Sequence, residues 1–189
     1  MSDYSNIKLD IYKIFIAYKD RFRSQEYKTI RLTEYEKAFG FNEDSRKGSK
    51  PFGNTLGYFM EEIWLISPKK IRKCNECGLD GISKKACFQF KNRYDTMKAN
   101  TAYDEILPMI KRAIDTDKEF YLVVLVDEKN ISRNIPLHKS RGLSKMYNLP
   151  GYNPDKHRMI SDKYAYKYFF GEYADKAKKY ILYLISTLN

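Results

Sequence analysis

The run Phe120-Tyr121-Leu122-Val123-Val124-Leu125-Val126 is apolar without interruption and rich in β-branched and aromatic side chains. A strand with one wet face alternates polar and apolar positions. One with no polar position must be covered on both sides, as the central strand of a layered α/β sheet is. The rest of the chain supplies covering layers. Ile7, Ile11, Ile14, Phe15, Tyr18 and Phe22 recur three or four residues apart, as do Leu56, Phe59, Met60 and Ile63. So do Ala99, Ala102, Tyr103, Ile106, Leu107, Ile110, Ala113 and Ile114, and finally Ala177, Tyr180, Ile181, Leu184, Ile185 and Leu188. Each set forms one apolar face of a helix. The second helix is expected from an Asn54 N-cap to a stop at Ser67-Pro68, and the third is expected to be kinked or interrupted at Pro108.

Between those two helices, Leu79 to Ile82 and Ala86 to Asn92 flank Ser83-Lys84-Lys85 and read as a hairpin. The period of two in its second strand puts Cys87, Gln89 and Lys91 on one face, with Phe88 and Phe90 on the other. The polar stretch from Asn42 to Pro51 reads as a loop, as does Asn148 to Pro154, and beyond Asp127 the pattern weakens. Helix, hairpin, helix and strand in that order give an α/β fold, with a small mixed central sheet flanked by helices. A chain of 189 residues suits a single domain: an N-terminal helical part over 1–53, a core over about 54–130 and a C-terminal part over 131–189.

The charge balance points to a polyanionic partner. Lys and Arg number 35 against 24 Asp and Glu, a formal charge of +11, and Lys69, Lys70, Arg72, Lys73, Lys84, Lys85, Lys91, Arg93 and Lys98 crowd the middle of the chain. Such a field favours nucleic acid, although a basic solvated surface would give the same composition. No stretch approaches the roughly 20 apolar residues of a membrane span, and Met1-Ser2-Asp3-Tyr4 does not begin a signal peptide, so an intracellular protein is expected. Three cysteines, an odd number, argue for a reducing compartment. Cys74 and Cys77 form a C-x-x-C, but a zinc site needs about four ligands, and only Cys87, His138 and His157 remain to complete one. The two histidines read as surface or loop residues.

The segment from Gln89 to Met97, with Asp80 upstream of the hairpin, carries the most specific chemistry. Hydrolysis of a phosphodiester needs an activated water, a cation to neutralise the phosphoryl oxygens and a means of holding the phosphate in line. Asp80 offers an anionic ligand for Mg²⁺, Gln89 a neutral oxygen and Phe90 a backbone carbonyl, all acceptable to a hard cation. Lys91 projects toward the same place, where its ammonium would orient or deprotonate the attacking water and stabilise the transition state. Asn92, Arg93, Thr96 and Lys98 follow, with groups suited to phosphates or base edges of DNA. Glu61 and Glu62 flank the apolar face of the second helix, so either could border this site. The competing reading makes Gln89 and Lys91 the exposed face of an edge strand.

The string Lys91-Asn92-Arg93-Tyr94-Asp95-Thr96-Met97-Lys98 resembles the K-N-K-[HY]-N-T run of a group of type II restriction endonucleases in the PD-(D/E)xK superfamily. Leu56-Gly57-Tyr58-Phe59-Met60-Glu61 resembles the G-x-F-H-[QE] helix that precedes it, and Met159 to Tyr164 with Gly171 is faintly similar to a late segment of those enzymes. The resemblance spans about residues 54 to 171. It implies the restriction-endonuclease-like αβββαβ core, with Asp80 as central metal ligand, Lys91 as catalytic lysine and Glu61 as supporting helix acid. It also implies Mg²⁺-dependent cutting of double-stranded DNA at a short, palindromic site by a homodimer in a prokaryotic cytoplasm. Two departures stand out: Leu79 precedes Asp80 where the motif has proline, and Gln89 replaces the usual acid. The second removes a negative charge from the metal site and leaves open a non-catalytic DNA-binding module. A structure-selective repair or recombination nuclease of the same fold is a further alternative.

Overall fold

The computed structural model describes residues 4–22, 26–28, 32–41, 47–74, 78–93, 101–126 and 131–188, and the chain divides into two compact units. The first, Met1–Pro68 with Tyr166–Asn189, is largely helical. Its α1, Tyr4–Tyr18, buries Ile7, Ile11 and Phe15, the expected stripe. A short α2, Glu34–Ala38, went unanticipated, although its signal stands in the sequence: Thr33 and Glu36 form a capping box. The Thr33 hydroxyl accepts the Glu36 amide at 3.1 Å while the Glu36 carboxylate accepts the Thr33 amide at 2.9 Å. Thr33→Ala is expected to lower unfolding free energy by about 1 kcal/mol, read from urea denaturation; an unchanged midpoint would mean the cap contributes nothing.

Two further differences concern the segment read as a loop ending at Pro51. Lys47–Ser49 is a short strand, β2, paired antiparallel with β1 at Glu26–Lys28. Helix α3 spans Lys50–Leu65 and so starts ahead of Asn54. Pro51 sits in its first turn, where a missing N–H leaves no intrahelical bond unmade. Near the other end of α3 the Trp64 ring stacks on Phe169 at 4.8 Å and meets Tyr166 edge-on at 5.0 Å. Both partners lie on α5, Lys163–Phe170, and α6, Ala174–Ser186, then buries Ala177, Ile181, Leu184 and Ile185.

The second unit, Lys69–Ala165, holds a six-stranded mixed sheet. Its strands are β3 Arg72–Cys74, β4 Leu79–Ile82, β5 Ala86–Arg93, β6 Glu119–Val126, β7 Asn134–Pro136 and β8 His157–Ser161, in the order β3-β4-β5-β6-β8-β7. β5, β6 and β8 are mutually parallel, and the flanking pairs are antiparallel. The expected central strand is β6: Phe120, Leu122, Val123, Val124 and Leu125 are all buried, so both of its faces are covered. The expected hairpin is present, tightened by Ser83, whose hydroxyl accepts the Ala86 amide at 3.0 Å and whose carbonyl accepts Lys118 Nζ at 2.8 Å.

Helix α4, Ala102–Asp115, forms the crossover between β5 and β6, packing Ala102, Ile106, Ile110 and Ala113 against Cys87, Phe120, Leu122, Val124 and Met159. Pro108 does not interrupt it. The proline deprives the Asp104 carbonyl of its helical donor, and both residues are exposed, so water can satisfy that oxygen. Strands β7 and β8 were not anticipated.

His157 opens β8 and is 2 % exposed, not the surface or loop residue its isolation in the sequence suggests. Its Nδ1 accepts the Asn153 amide at 3.0 Å, which fixes a neutral ring. Burial, reinforced by Lys156, lowers its pKa from 6.5 to about 4. Between those values the unfolded chain binds a proton that the folded one refuses. Stability is therefore expected to fall as pH drops from 6.5 toward 4, by up to about 3 kcal/mol. His157→Asn keeps an acceptor oxygen without titrating and is expected to flatten this part of a urea-denaturation pH series; an unchanged slope would count against His157 as its source.

Candidate active site

The β4–β5 ladder pairs Ile82 with Cys87 and Gly81 with Phe88. At the next outward step a side chain replaces the backbone partner: Asp80 Oδ2 accepts the Phe90 N–H at 2.6 Å. A residue in an extended strand turns its N–H and C=O toward the same neighbour. The Phe90 carbonyl therefore faces the Asp80 side of β5. Gly78, at φ +69°, makes the left-handed turn that delivers the chain into β4 just ahead of Asp80.

Gln89 and Lys91 do not lie on an edge strand, because β5 is hydrogen-bonded to β4 on one side and β6 on the other. Gln89 pairs with Leu122 and Lys91 with Val124, on the face that α4 covers at Cys87. Gln89 is 7 % exposed, and its Oε1 is buried with no hydrogen-bond partner. An amide oxygen left in that state costs about 1–3 kcal/mol, which a cation or a donor reaching it would offset. Lys91 is half-buried, with Nζ 3.7 Å from Glu105 Oε2 on the first turn of α4. Glu105 in turn accepts a long hydrogen bond of 3.5 Å from the Thr101 hydroxyl.

Asp80, Gln89, Phe90 and Lys91 are thus gathered on neighbouring positions of β4 and β5, toward the carboxyl end of a parallel strand, where ligands of α/β sheets commonly bind. Glu105 joins them unannounced. As one of two acids in the first turn of α4, it looks in the sequence like an ordinary complement to the helix dipole. Glu105 also borders a cleft of about 510 Å³ that is lined by Gly78, Pro108, Lys111 and Arg112 as well. Glu61 and Glu62 are both half-buried on α3, which belongs to the first unit. Asn92 is half-buried and Arg93 ends β5, while Thr96 and Lys98 lie outside the described residues.

A carboxylate, a backbone carbonyl and an orphaned amide oxygen fit a hard divalent cation such as Mg²⁺. Among the described residues no three His, Cys, Asp or Glu side chains form a metal cluster, so the neutral oxygens would have to complete the site. Cys74 is disulfide-bonded, against the expectation of reduced cysteines, and Cys77 lies outside the described residues. Cys87 is a free thiol at 0 % exposure whose pKa burial raises, with Lys118 and Arg112 opposing; it serves as core, not as a nucleophile. Among the described residues no helix is long and apolar enough to cross a membrane. Neither protein-family models nor curated proteins yield a match to the chain.

Proposed function

We propose that this protein is a Mg²⁺-dependent endonuclease that hydrolyses phosphodiester bonds in double-stranded DNA at a short specific site, in the manner of type II restriction endonucleases of the PD-(D/E)xK superfamily. The observation that carries this reading is the Asp80 carboxylate seated on the Phe90 amide, beside a buried Gln89 oxygen that has no partner. Two further observations support it. Elements α3 to β6 follow one another along the chain as α-β-β-β-α-β, the order of the αβββαβ core that the resemblance implies. The formal charge of +11 suits a polyanion.

In this reading Asp80, Gln89 and the Phe90 carbonyl are the groups that would hold Mg²⁺. When bound, the cation would supply charge neutralisation at the scissile phosphate and a lowered pKa for water. Lys91 places its ammonium against the phosphate and orients the attacking water. Glu61 remains the proposed supporting acid from α3. Asn92 and Arg93 at the end of β5, with Thr96 and Lys98 beyond it in the sequence, are the proposed DNA contacts. A homodimer belongs to the proposal, because palindromic duplex sites are matched by two-fold proteins.

The neutral Gln89 favours a second reading, a DNA-binding module that has lost its chemistry. Plasmid incubated with the purified protein and Mg²⁺ separates the two. Discrete fragments are expected from a site-specific nuclease, whereas a mobility shift without cutting would establish the binding module. Cleavage confined to junctions or ragged ends would instead assign a structure-selective nuclease.

A further inference from the structure

We propose that Glu105 supplies the second carboxylate of the divalent-cation site, the charge that Gln89 does not carry. The inference rests on the metal-site reading above and adds a ligand that no motif in the sequence announces. Among the described residues, β4 and β5 offer one anionic group between them, Asp80 on β4, and a hard dication held by a single carboxylate and neutral oxygens is held weakly. Glu105 is the acid that α4 brings to this face of β5. Its position is fixed by observation: Ala102 and Ile106 of the same helix are wholly buried in the core cluster that holds Cys87, and Glu105 Oε2 lies 3.7 Å from Lys91 Nζ.

Three features fit a carboxylate awaiting a cation. Its partner is already cationic, with the Lys91 ammonium 3.7 Å away. Both of its contacts are long, at 3.7 and 3.5 Å, and its side chain is 44 % exposed, so a small rotation costs little. Gln89, with 7 % of the residue exposed and its Oε1 unpartnered, lies on the same strand face two residues before Lys91 and would complete the ligand set. Glu105 is the ion-pair partner of Lys91, so engaging Glu105 as a ligand and freeing the Lys91 ammonium for a phosphate would be coupled. Glu105 belongs to the same compact unit as Asp80, Gln89 and Lys91, so the site needs no contribution from the first unit to hold two carboxylates.

Calorimetric titration of the full chain with Mn²⁺ alone tests this, in roughly 0.5 M salt so that charges beyond about one Debye length of 4 Å are screened and loss of a ligand is what registers. Glu105→Gln is expected to weaken Mn²⁺ binding at least about tenfold, and Gln89→Glu added to Glu105→Gln to restore it to within about threefold of the natural protein. Glu105 is exposed enough for the substitution to leave the fold intact, which the thermal midpoint checks. Binding by Glu105→Gln within about threefold of the natural protein, while Asp80→Asn abolishes it, would overturn the role of Glu105 and leave the metal site standing. Absence of Mn²⁺ binding by the natural protein would remove the metal-site reading itself, and Glu105 with it.

Discussion

Lys91→Ala is expected to slow Mg²⁺-dependent cleavage of duplex DNA by about 10²–10³-fold or more, the effect of deleting a preorganised group that meets charge developing on the reacting oxygens. The fold should survive. The ammonium makes one long ion pair with a partly exposed Glu105, and such pairs contribute about 0–1 kcal/mol. Asp80→Asn should cost at least as much activity for a different reason. The asparagine oxygen can still accept the Phe90 amide, so the end of the β4–β5 pairing keeps its geometry while the proposed metal site would lose the Asp80 charge. Initial rates on supercoiled plasmid, with thermal midpoints measured in parallel, check both. Cutting at the natural rate by either folded variant would remove that residue from the chemistry.

Phe169→Ala is expected to lower unfolding free energy by about 3–5 kcal/mol, the range for truncating a fully buried aromatic ring. Phe169 is 1 % exposed and stacks on Trp64, which is itself 2 % exposed. Removing the ring forfeits its buried area and opens a cavity beside the indole, which Tyr166 meets edge-on at 5.0 Å. Because Trp64 is the only tryptophan, its fluorescence reports the first unit without interference, and the urea midpoint read from it should drop sharply. A loss below about 1 kcal/mol would mean that the neighbouring rings collapse into the space.

Elements whose pattern carries strong periodicity were readable from the sequence. The stripe of α1 and that of α4 survive as buried faces because helix packing selects for them, and β6 was legible because only a doubly covered strand lacks polar positions. Strand β8 was not, because His157-Arg158-Met159-Ile160-Ser161 mixes ionisable and hydroxyl residues. His157 and Ser161 are buried all the same, each satisfied by hydrogen bonds that accept backbone amides: His157 Nδ1 that of Asn153 nearby in the chain, Ser161 Oγ that of Arg133 across 28 residues at 2.9 Å. In the sequence Pro51 and Pro108 both look like breakers. One stands in a first turn and the other on an exposed face, and neither fact is visible without the fold.

The site divides in the same way. Asp80, Gln89, Phe90 and Lys91 lie close along the chain on a hairpin, so residue type and strand period sufficed to gather them. Glu105 reaches Lys91 only because the α4 crossover packs over β5, a long-range contact with no local signature. The burial of Gln89 is the other datum that only the fold supplies, and it turns an apparent loss of charge into an oxygen with an unmet need.

The most direct test is to map the ends produced when the natural protein and Asp80→Asn are each incubated with duplex plasmid and Mg²⁺. The expected result is a fixed set of ends from the natural protein and intact plasmid from the variant. Intact plasmid from both, or the same fixed ends from both, would contradict a metal-dependent nuclease centred on Asp80.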